Sequence, residues 1–122
     1  MRFVAPQLHK VLDYLTVLAF ALSPTVVGLT GLAATVAYAL AVIHLAVTLG
    51  TQFPGSVQRP LSFKAHGALE AVVGIALVVL PFALGWTGRA RAFYLVVGVV
   101  ILVVSLVSRY GFEQPTSAGA AV

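Results

Sequence analysis

His9 and Asp13 stand four residues apart, and so do His66 and Glu70. On a helix, residues at i and i+4 lie one turn apart on the same face, so each couple sets an imidazole beside a carboxylate. Three kinds of chemistry fit such a set. If the two couples face each other, two imidazoles and two carboxylates suit zinc, iron or manganese. Imidazole and carboxylate side by side can also hand a proton to one another, as in proton-coupled carriers. The third use is structural, with polar side chains satisfying one another and gluing apolar helices together. A haem held by two histidines would need His9 and His66, or either with His44, to face each other across a cavity wide enough for the porphyrin.

The couples belong to a larger pattern. His9, Asp13, Pro24, Gly28, Thr30 and Gly31 reappear 57 residues later as His66, Glu70, Pro81, Gly85, Thr87 and Gly88. At that offset residues 9 to 51 match residues 66 to 108 at twelve identical positions, which marks an internal duplication. In repeats of this size each copy is one supersecondary unit that buries its apolar face against its neighbour. Asp13 and Glu70 are also the only carboxylates within the long apolar runs.

Those runs decide the class of protein. Hydrophobic residues make up 61% of the chain and charged residues 8%, against roughly 45–50% and about 25% in an average soluble domain. The composition is that of a membrane protein, and 122 residues make one membrane domain. Four runs, Leu8 to Gly28, Leu32 to Leu49, Ala65 to Trp86 and Ala92 to Val107, are each near the ~20 residues that cross a hydrocarbon core about 30 Å thick. Helices are expected, because an open strand would leave its backbone groups unpaired in lipid, and an alternating β-barrel pattern is absent. Gly28-Leu29-Thr30-Gly31 and Gly85-Trp86-Thr87-Gly88 are glycine-bounded turns, so each repeat reads as a helical hairpin. The expected fold is thus an all-α bundle of four transmembrane helices. It is built from two tandem hairpins, residues 8–51 and 65–108, joined by a linker over 51–64 and followed by a flexible tail over 109–122. Pro24 and Pro81, each about one turn before its glycine, bend the last turn of the preceding helix. Gly74 and Gly98 are positions for close helix packing.

A two-crossing repeat returns the chain to the side it left, so the hairpins should be related by a pseudo-twofold axis along the membrane normal. Arg2, Lys10, Arg59, Lys64 and Arg109 fall on one face and Arg89 and Arg91 on the other. That bias puts both termini and the linker in the cytoplasm. Phe53, Phe63, Tyr110 and Phe112 lie toward that interface, and Phe82, Trp86 and Tyr94 toward the opposite one. The expected partners are the lipid bilayer, acidic headgroups at the cytoplasmic face, and a homo-oligomer or larger membrane complex. The net charge of +4 is a topology signal and does not point to nucleic acid. Arg2 and Lys10 ahead of an apolar run ending near Ala19-Phe20-Ala21 imitate a cleavable signal, but the matching pattern of the third run argues for retention.

At ~1.5 Å per residue, His44 on the returning second helix reaches nearly the depth of Asp13. Five side chains, His9, Asp13, His44, His66 and Glu70, are therefore expected in the inner third of the molecule. Ile101 holds the repeat position of His44, so the cluster is not symmetric. The carboxylates are read into the first turns of their helices, favoured by the helix dipole and within reach of Lys10 and Lys64. Thr16, Thr35 and Tyr38 are too sparse to continue a polar path across the bilayer. Cysteine is absent, which removes disulfides, thiolate sites and iron–sulfur clusters. A phosphate-binding loop and a nucleophile elbow are missing, so no catalytic residue is assigned.

Leu8-His9, Leu12-Asp13-Tyr14 and Ser23-Pro24, then a glycine and a second helix, with the plan repeated once, resemble the SPW-repeat family of small bacterial integral membrane proteins. The resemblance spans residues 8 to 108. Ser23-Pro24-Thr25 lacks the family's tryptophan, and Leu80-Pro81-Phe82 lacks its serine as well. His66-Gly67-Ala68-Leu69-Glu70 and Gly74 are similar to DoxX-like four-helix proteins. The first resemblance implies a multi-pass protein of the bacterial inner membrane with no established activity. The expectation that follows is a membrane scaffold or accessory subunit held by the His/carboxylate cluster, with metal or haem binding and proton-coupled transport as alternatives.

Overall fold

A computed structural model describes residues 2–111. Phe112 and the rest of the expected tail beyond 111 lie outside the described residues. Four helices account for most of the chain: α1 (Pro6–Val26), α2 (Gly31–Leu49), α3 (Phe63–Ala83) and α4 (Gly88–Val107). Two-residue strands β1 (Thr51–Gln52) and β2 (Leu61–Ser62) pair in parallel within the linker. α2, α3 and α4 are each long and apolar enough to cross a membrane. α1 is not in that group, since Gln7, His9, Lys10 and Asp13 crowd polarity into its first two turns.

Helix limits differ from the sequence reading by up to four residues. α1 begins at Pro6, where a residue without a backbone N–H costs the first turn nothing. α3 begins at Phe63 because the Ser62 side chain accepts a hydrogen bond from the Ala65 amide. Both starts are earlier than the apolar runs suggest, which moves Asp13 and Glu70 out of the first turn. Past the first turn the helix dipole does little for either carboxylate.

The turns are as the glycines require. Gly28 and Gly31 have φ of 83° and 55°, and Gly85 and Gly88 have φ of 69° and 59°, a region that residues with a Cβ rarely enter. Pro24 cannot donate to the Phe20 carbonyl, and the Ser23 hydroxyl donates to that carbonyl instead, at 2.9 Å. The Ser-Pro pair is thus a local repair of the helix ladder.

α1 packs mainly on α2, and α3 mainly on α4. The α3/α4 crossing is close, because a Cβ at Gly74 would meet the Leu102 amide at 2.9 Å and one at Gly98 would meet the Gly74 carbonyl at 3.0 Å. Between the two pairs the backbones stay farther apart. Phe20, Ala33, Ala37, Leu77, Tyr94 and Ile101 fill that space toward the turns. Tyr94 is fully buried rather than turned to an interface, and its hydroxyl donates to the Ala33 carbonyl at 2.6 Å. At the other end the space belongs to polar side chains.

Candidate metal centre

All three histidines of the chain converge on two of its three acidic residues. α1 supplies His9 and Asp13, α3 supplies His66 and Glu70 from matching positions about one and two turns in, and α2 supplies His44 near its end. His9 Nε2 lies 3.3 Å from Asp13 Oδ1 and 3.0 Å from Glu70 Oε2. His66 Nε2 lies 3.1 Å from Asp13 Oδ2 and 2.8 Å from Glu70 Oε1. His44 Nε2 is farther out, 3.6 Å from Asp13 and 3.7 Å from Glu70. Among the described residues, the basic side chains set against these carboxylates are histidines and not Lys10 or Lys64.

The far side of two imidazoles fixes how they present the near side. His9 Nδ1 is 2.6 Å from Ser108 Oγ, and His66 Nδ1 is 2.7 Å from Thr51 Oγ1. Each hydroxyl has one proton, and it is directed to a carbonyl of the preceding turn, Val104 for Ser108 and Val47 for Thr51, both at 2.6 Å. Each hydroxyl must therefore accept from Nδ1–H. That assignment leaves Nε2 of both rings facing the carboxylates, with its lone pair available in the neutral form. Sequence reasoning missed Thr51 and Ser108. The signal was present, since they occupy the same position in the two repeats, 57 residues apart.

The inner contacts are close without being good hydrogen bonds. His66 Nε2 to Glu70 is aligned, but His9 Nε2, His44 Nε2 and Asp13 Oδ2 are buried with no hydrogen-bond partner despite their charged neighbours. Donor atoms of His9, Asp13, His66 and Glu70 all lie within 4.8 Å of one another. Four donors held ~2.1 Å from one ion are separated by roughly 3.4 Å in a tetrahedron, so these spacings suit a shared centre. An imidazole–carboxylate set without sulfur favours a first-row divalent ion such as zinc, iron or manganese. Haem fits poorly. The His9 and His66 rings meet edge to face at 5.4 Å, and the carboxylates lie against both.

Aromatic rings close the end toward the linker. Phe53 and Phe63 are buried rather than set at an interface, and the His9 ring stacks edge-on to Phe63 at 4.9 Å. Tyr110 lies over Phe63 and against Gly67, where any side chain would collide with the ring. Burial, reinforced by the Glu70 charge, pushes the Tyr110 hydroxyl up to about 12, so it stays protonated and donates to the Ser105 carbonyl. Compared with family models, curated proteins and solved structures, the chain matches none.

Proposed function

We propose that the protein is an integral membrane protein that binds one divalent first-row transition ion through His9, Asp13, His66 and Glu70, with His44 as a fifth donor. The observation that carries this reading is that donor atoms of four residues converge while His9 Nε2, His44 Nε2 and Asp13 Oδ2 are buried without a hydrogen-bond partner. Buried polar groups are normally satisfied, and an ion would satisfy all of them at once. The outward hydroxyls of Thr51 and Ser108 are the kind of second layer that orients metal-ligating histidines.

The remaining architecture of the proposal is a four-helix bundle of two hairpins about a pseudo-twofold axis. Its support is a crossed set of contacts. Thr51, at the end of the first repeat, serves His66 of the second, and Ser108, at the end of the second, serves His9 of the first. Strand pairing follows the same exchange, with Thr51 opposite Leu61 and Ser108 opposite Val4. α1 is the fourth span. Its 21 residues reach about 31 Å, and Leu8, Val11, Leu15, Leu18 and Leu22 present an exposed apolar stripe suited to lipid. The positive-inside bias then sets the metal end at the cytoplasmic side of an inner membrane, near acidic headgroups. The ion ties α1, α2 and α3 together, which fits a scaffold or accessory subunit of the SPW-repeat kind.

The test is metal content. Protein purified without chelator should carry about one equivalent of a divalent ion and, after stripping, take up Co²⁺ with visible bands of a nitrogen/oxygen site. The double variant Asp13→Asn, Glu70→Gln should lose at least tenfold in affinity. Wild-type protein that takes up no more metal than this variant would leave the cluster as interhelical glue alone.

A further inference from the structure

Asp13 and Glu70 have unlike flanks. Between α2 and α3, His44 points at both carboxylates, and with Phe20, Ile43 and Val47 it narrows the gap to a cavity of about 40 Å³. Between α1 and α4 the repeat position of His44 is Ile101, and there a cavity of about 200 Å³ runs down to the same two carboxylates. Its walls are Leu12, Leu15, Thr16, Val97, Val100 and Ile101. The Thr16 hydroxyl is tied to the Leu12 carbonyl at 2.8 Å, so the wall offers no free donor. The polar groups of this cavity that can direct a ligand are at its floor.

The way in is also one-sided. Phe53, Phe63 and Tyr110 cover the cluster toward the linker. Leu15, Val96 and Val100, at the mouth of the cavity, are each more than half exposed on the apolar flank where lipid would lie. A dry apolar cavity of ~150 Å³ is enough to hold benzene. The volume here therefore admits one ring, and the floor selects a ring that carries an oxygen. A charged molecule has nothing to solvate it along the walls.

We infer that the α1/α4 cavity binds a small uncharged phenol that enters from the bilayer and sets its hydroxyl oxygen at the Ile101 side of Asp13 and Glu70, beside the ion they hold. This rests on the metal reading above. The repeat asymmetry acquires a purpose, because His44 closes one flank of the ion with a protein ligand and Ile101 keeps the other for an exogenous one.

Phenol titrated into Co²⁺-loaded protein in detergent micelles tests it, with the visible Co²⁺ bands as readout. A saturable spectral change is expected. Ile101→Phe fills the cavity and should raise the half-saturating phenol concentration at least tenfold while Co²⁺ content stays the same. Val97→Phe, from the opposite wall, should do likewise and serves if the first variant fails to fold. Leu40→Phe, beside the narrow α2/α3 gap, should leave the response unchanged. Bound Co²⁺ with no response to phenol, as when an acyl chain or a second copy of the chain covers the cavity, overturns the inference and leaves the metal site standing. An undiminished response in both filled variants overturns it too. Failure to bind Co²⁺ removes the metal reading and this one with it.

Discussion

Thr51 and Ser108 illustrate how little chemistry is needed to set a buried imidazole. A hydroxyl already bonded to the helix it follows can only accept, so it fixes which nitrogen of the ring carries the proton. Loss of such an outer partner typically weakens metal affinity by about 10–100-fold. Thr51→Ala and Ser108→Ala should each do so, measured by competition with a chromophoric chelator, and the double variant should be weaker still. His44 stands farther from the carboxylates than the other two histidines, so His44→Ala should cost less affinity than His9→Ala in the same assay. Metal ligation needs neutral imidazoles, and protons compete for the same nitrogens. Affinity should therefore fall as pH is lowered, and a site that held its ion more tightly in acid would contradict the assignment.

Two devices shape the helices at the scale of the element. One is the glycine crossing of α3 and α4, where Gly74 and Gly98 let backbone meet backbone. Gly74→Leu should destabilise the protein by about 1–3 kcal/mol, the usual cost of forcing bulk into a packed contact, read from unfolding in mixed micelles. The other is the Ser23 hydroxyl at the carbonyl that Pro24 leaves without a donor. Ser23→Ala should cost roughly 0.6 kcal/mol and at most about 1.7, the range measured for side-chain hydrogen bonds in a membrane protein. The second repeat manages without this bond, having Leu80 before Pro81. Its helix instead closes with the Trp86 amide donating to the Pro81 carbonyl at 2.8 Å.

For the whole molecule, the proposed topology can be checked without background, since the chain contains no cysteine. Gln58→Cys in the linker should react with a membrane-impermeant thiol reagent only when the cytoplasmic face is open, and Thr87→Cys only from the opposite face. Labelling of both from one side would refute the crossing by α3, the one helix between them. Much of the molecule could be read from residue order alone. Glycines needing positive φ, apolar runs of fixed length and a 57-residue echo are local or periodic signals, and local sterics act on the sequence directly. The five polar residues stood out for the same reason, because a charge inside an apolar run is costly wherever the run folds. α1 and α3 start ahead of their apolar stretches because Pro6 and the Ser62 cap extend them. What only the tertiary structure decided is who meets whom. The exchange of Thr51 and Ser108, the burial of Tyr94 and the unequal cavities beside His44 and Ile101 depend on the packing of α1 and α2 against α3 and α4. Residue periodicity reports which face of a helix is polar, but not which distant face it will find.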